Sequence, residues 1–86
     1  MIIKKDLIKR DIAGDTILIP VGHTVYDNNG LFVLNELGAF LWDRLPQAEG
    51  EEDLLRAVLE EYDVSEAQAA QDISEFLAKL RDMNII

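Results

Sequence analysis

The chain of 86 residues contains no cysteine and a single histidine, His23. The first absence removes disulfides, thiolate chemistry and cysteine metal ligands together. A lone imidazole without cysteine nearby does not build a zinc site of the usual ligand spacing, so His23 reads as an ordinary loop residue. Long hydrophobic runs are also missing: 49% of the residues are hydrophobic, but none of the stretches reaches the roughly 18 apolar residues that a bilayer crossing requires. The start, Met1-Ile2-Ile3-Lys4-Lys5-Asp6, has no long apolar core followed by a small-residue cleavage site. The expectation is a cytoplasmic protein with no membrane partner. Bases are scarce where helices are expected. Residues 36–86 hold thirteen acids against Arg44, Arg56, Lys79 and Arg81, and so carry the whole net charge of −9, while residues 1–35 are neutral. Duplex affinity comes largely from Lys and Arg neutralising phosphates, so this distribution argues against a nucleic-acid partner. A basic or amphipathic polypeptide suits it better.

Catalytic patterns are equally sparse. Ser65 and Ser74 have no histidine placed to activate them. Gly14, Gly22, Gly30, Gly38 and Gly50 form no phosphate-cradling spacing, and no Gly-Lys-Ser or Gly-Lys-Thr occurs. The acids Glu49, Glu51, Glu52 and Asp53 form a row at a helix start, where negative charge is favourable against the helix dipole, rather than a converging oxygen cage. No enzymatic activity, metal or cofactor is expected, and the length fits one domain spanning residues 1–86.

What is present is a change of period. Ile8 to Ile12 has apolar positions two residues apart, Ala13-Gly14-Asp15 supplies turn chemistry, and a second extended run follows to about Val21. In that run Ile17, Ile19 and Val21 share one face and Thr16, Leu18 and Pro20 the other; Pro20, lacking an N–H, belongs at a strand end, a bulge or an edge. Asp27-Asn28-Asn29-Gly30 marks a tight turn, which Val25-Tyr26 pairs across, into the apolar strand Leu31 to Leu34. Asn35, a strong N-cap type, then starts a helix with a stripe of Leu37, Leu41 and Leu45 that ends at Pro46. Leu54, Leu55, Val58, Leu59 and Tyr62 line a second helix after Gly50. Ser65 with Gln68 matches a capping box before a third, with Ala69, Ile73, Phe76, Leu77 and Leu80, that runs to about Met83 and stops at Asn84; Ile85-Ile86 are expected to return to the core. Trp42, Phe40 and Phe76, at helical spacing, read as buried core. The plan is β-β-β-α-α-α: an α+β, winged-helix-like fold with a three-stranded antiparallel sheet followed by a three-helix bundle. So small a sheet is expected to leave one strand edge free for a visiting chain.

The run Leu31 to Trp42, with Leu34-Asn35-Glu36 and Ala39-Phe40-Leu41-Trp42, resembles the PqqD family, the pyrroloquinoline-quinone biosynthesis protein D group and its relatives. Ala13 to Gly22, Glu60 to Val64, and Asp72 to Leu77 with Leu80 resemble it further, in collinear order over nearly the whole chain. Gly50 departs from the hydroxyl-bearing cap common among relatives. The resemblance implies a recognition element for ribosomally made, modified peptides: it binds the leader of a precursor peptide and delivers the core segment to a modifying enzyme, often a radical S-adenosylmethionine enzyme with a SPASM-type extension. It also implies that the leader adds as a strand at the third strand, with side chains entering a groove formed with the third helix, which is β-augmentation.

The expected peptide-binding residues are therefore Leu31, Phe32, Val33 and Leu34 on the strand and Gln68, Asp72, Glu75, Phe76 and Lys79 on the helix. Asp72 and Glu75 are placed to pair with a basic leader residue or simply to solubilise an exposed face. Two other classes stand beside this reading. A winged-helix DNA-binding regulator would read DNA with its third helix, for which Asp72, Glu75 and Asp82 against Lys79 and Arg81 are poorly suited. A structural or dimerisation module would bind a second copy of itself.

Overall fold

The computed structural model of the protein describes residues 1–21 and 32–86. The expectations for His23, for the pairing of Val25-Tyr26, for the turn at Asp27 to Gly30 and for Leu31 lie outside the described residues.

Strand β1 (Leu7–Ile12) and strand β2 (Asp15–Pro20) form an antiparallel hairpin. Its two-residue loop is Ala13-Gly14, with φ of 52° and 87°. Positive φ at both central residues is the type I′ geometry whose twist matches that of the flanking strands. Strand β3 (Phe32–Leu34) pairs antiparallel with the other side of β2, giving the order β1-β2-β3.

The period of two sorts the side chains. Lys9, Leu18 and Phe32 lie in register, as do Asp11, Thr16 and Leu34, and these rows face the helices. Leu18 is fully buried (0% exposed) and Leu34 nearly so. The face shared by Ile17 and Ile19 points away from the helices, yet Ile17 on it is buried while Val33 is 63% exposed. At the sheet's end Lys9 reaches Asp43 of the first helix (2.6 Å).

Helix α1 (Glu36–Arg44) begins where Asn35 Oδ1 accepts from the Gly38 N–H at 2.7 Å, the expected cap. It stops at Arg44, and Leu45–Gln47 tighten into a 3₁₀ turn that holds Pro46. Helix α2 (Glu51–Glu61) follows. Gly50 offers no side chain as a cap; instead the Asp53 carboxylate accepts from the Glu49 N–H (2.8 Å) and from Arg56 (2.8 Å). Helix α3 (Glu66–Asp82) starts at Ser65, whose Oγ accepts from the Gln68 N–H (3.1 Å). Only half of the expected capping box forms: the Gln68 side chain turns forward, its Nε2 donating to Asp72 (2.9 Å), and does not reach back to accept from the Ser65 N–H. At the other end Asn84 turns left-handed (φ 59°), the Asn84 N–H bonds the Arg81 carbonyl and the Ile85 N–H bonds the Leu80 carbonyl. That is a Schellman stop. It returns Ile85 to the core, where the Lys4 N–H donates to its carbonyl (2.6 Å).

Leu41, Leu45, Leu54, Val58, Ile73 and Leu77 fill the space between sheet and helices. Leu37, Leu55 and Tyr62 are half-buried rather than enclosed, and three further residues read as core differ. Leu59 is 38% exposed, on the rim of the α2 stripe. Phe40 is half-buried, stacked edge-on against Tyr62 (5.4 Å) under the Arg44 guanidinium (4.8 Å). Phe76 is half-buried because one side of it faces a groove. Helical spacing marks an apolar stripe but not its width, and these three lie at stripe margins.

Candidate functional site

The edge of β3 follows from the hairpin. A two-residue loop closes on a hydrogen-bonded pair, here Ile12 with Asp15, and such pairs alternate along an antiparallel ladder. The Val21 N–H, bonded to the Asp6 carbonyl at 2.9 Å, keeps that parity to the far end. Ile17 and Ile19 thus bond towards β1, while Thr16 and Leu18 bond towards β3. Across β2, Leu34 and Phe32 return those bonds, and Val33 is left with its N–H and C=O pointing away from the sheet. Among the described residues β3 pairs with β2 alone.

Beside this edge runs a groove of about 540 Å³ between β3 and α3. Phe32, Leu34, Leu37, Gly38, Leu41 and Phe76 give it an apolar lining. Phe32 and Phe76 meet edge to face at 6.5 Å, the inward side of β3 against the exposed flank of α3. Gly38 lies close beneath: a Cβ there would stand 3.1 Å from Asn35 Oδ1, 3.3 Å from a Leu34 methyl and 3.5 Å from the Phe76 ring. Asp72, Glu75 and Lys79 form the helical rim, and Asp15 a further acid on the strand side. The Gln68 amide holds Asp72 at 2.9 Å and the Gln71 amide holds Glu75 at 3.2 Å. Both donors are neutral, so they orient the carboxylates without cancelling their charge.

Of the expected residues, the structure brings Phe32, Val33, Leu34, Asp72, Glu75, Phe76 and Lys79 to one groove. Gln68 is not in its lining and acts on Asp72 instead. Asp15, Asn35, Leu37, Gly38 and Leu41 also line it and were not expected in the binding site from sequence. One signal for them existed: a glycine in the first turn of a helix costs about 1 kcal/mol relative to alanine and marks a close approach.

The arrangement offers backbone groups that no described strand pairs with, an apolar trough and an acidic rim. Among the described residues no group of His, Asp and Glu is placed to hold a metal ion, and no helix is long and apolar enough to cross a membrane. No curated protein matches the sequence. In fold, the chain is similar to the solved structure of TbiB1 in complex with the TbiA(beta) leader peptide, with a TM-score of 0.73 at 21% identity, covering 99% of this chain and 93% of that one. Residues 20–86 match the family described as Coenzyme PQQ synthesis protein D (PqqD). Since that match takes in β3, α3 and the groove between them, the chain belongs to the PqqD family.

Proposed function

We propose that the protein binds the leader segment of a ribosomally synthesised precursor peptide and presents the attached core to a modifying enzyme, a radical S-adenosylmethionine enzyme with a SPASM-type extension. The leader adds as a fourth strand along β3. Backbone bonds to Val33 give affinity, and side chains entering the groove against Phe32 and Phe76 give selectivity. The observation that carries this reading is the Val33 N–H and C=O aimed outward beside an open apolar trough. TbiB1, of the same fold, was solved with a leader peptide. The domain's role is binding and delivery, with no chemical step of its own.

The test is a nuclear magnetic resonance titration of the ¹⁵N-labelled chain with a synthetic leader from a precursor encoded beside its gene. Amide shifts concentrated at residues 32–35 and on the Asp72 to Lys79 face of α3 are expected. Saturable binding whose shifts fall elsewhere, for example on α2, rejects the docking site.

A further inference from the structure

The outer edge of β3, which no other described strand pairs with, and the groove together restrict which peptides are accepted. A docking residue that pairs with both backbone groups of Val33 lies on the same face of the extended sheet as Val33, the outer one. Its two neighbours then point inward, over Phe32 and Leu34, into the apolar trough that the missing Cβ of Gly38 deepens. A volume of about 540 Å³ takes two such side chains. The rim adds a charge preference. Asp72, Glu75 and Asp15 face the groove against Lys79, its one cation among the described lining residues. Among the described residues the two helical acids are held by the neutral amides of Gln68 and Gln71, not by a cation. A leader with an acid here meets like charges at short range; one with Lys or Arg meets complementary ones.

We infer that this groove selects extended segments of the form apolar–any–apolar with a Lys or Arg within a residue or two of the inward pair, and rejects the same segments carrying Asp or Glu there. The inference rests on the leader-docking reading above, and deepens it by naming the class of leader.

The experiment is a selection from a library of randomised dodecapeptides on the full-length chain, run in parallel on Asp72→Lys/Glu75→Lys and on the neutral Asp72→Asn/Glu75→Gln. Circular dichroism first confirms that both variants keep the helical content. Enriched peptides are then measured by fluorescence anisotropy. On the parent chain the consensus alternates apolar residues and carries Lys or Arg, and replacing that base by Glu weakens binding about fivefold, as partly exposed ion pairs do. The preference vanishes on the neutral variant and reverses on the lysine variant. Equal enrichment of acidic and basic peptides on all three baits overturns the charge selection, and a consensus without two-residue alternation overturns the register. Strand docking survives both results, because it is read separately: it fails if the enriched peptides bind without shifting the amides of Phe32, Val33 and Leu34.

Discussion

Ala13 adopts a φ of 52° in the β1–β2 loop, a conformation in which its Cβ crowds the backbone. Asn tolerates that region better, and Asn-Gly is the favoured pair for this turn. Ala13→Asn is expected to raise unfolding stability by about 0.5–1 kcal/mol, measured by chemical denaturation; an unchanged or lower midpoint would contradict the I′ assignment. Asn35 has two roles, capping α1 and lining the groove. Asn35→Ala should cost about 1 kcal/mol of stability through the orphaned Gly38 N–H. Tyr62 supplies a pH dependence. Burial, then the charges of Glu36 and Glu61, raise its pKa above the ordinary 10.0. The folded state therefore resists ionisation of this phenol, so its contribution is fully present below pH 10 and is lost as the pH rises through the folded-state pKa. Unfolding midpoints measured at rising alkaline pH should fall more steeply for the parent chain than for Tyr62→Phe. Parallel curves would remove Tyr62 from the account.

At the scale of elements, β3 has three residues, and its two faces and two edges each serve a different end. Val33→Pro deletes a donor that β2 does not use, so the sheet should persist while peptide binding weakens about threefold to tenfold, the worth of one backbone hydrogen bond. Phe32→Pro is the contrasting case: it removes the bond to Leu18 and should lower stability itself. Equal peptide affinity of Val33→Pro and the parent, both folded, would show that the leader does not use this edge. The helices were legible because their signals are local. Asn35, Ser65 and Asn84 act on neighbours within a few residues, and each sits at the end its chemistry suggests. Which way Val33 points was not legible. Leu31 to Leu34 are apolar throughout, and only the register, inherited through β2 from a turn twenty residues earlier, decides it. The groove was half legible for a related reason. Asp72, Glu75 and Lys79 reveal themselves by helical spacing, but Asp15, Leu37 and Gly38 join them only once the sheet packs on α1 and α3. Gln68 shows the limit of a local pattern: its side chain turns forward to donate to Asp72, one turn on, instead of turning back to accept from the Ser65 N–H.

For the whole molecule, the decisive quantity is where the charge of −9 lies. A helical half that carries all of it repels phosphates, and α3 in particular presents Asp72, Glu75 and Asp82 alongside Lys79 and Arg81. Gel shifts with duplex DNA at about 0.15 M salt should therefore show no complex, and retention of any duplex would revive the regulator reading. Under the docking proposed above, the same field attracts a basic leader and, because steering acts before contact, governs the rate of encounter, whereas the apolar side chains and the Val33 bonds govern how long the complex lasts. The screening length falls from about 10 Å at 0.1 M salt to about 3 Å at 1 M. Stopped-flow mixing with a leader carrying Lys or Arg should accordingly show an association rate that drops steeply over this range, with dissociation changing little. A dissociation rate that instead rises with salt as fast as association falls would mean that ion pairs at Asp72 and Glu75 hold the bound peptide, and that the trough at Phe32, Gly38 and Phe76 contributes little to retention.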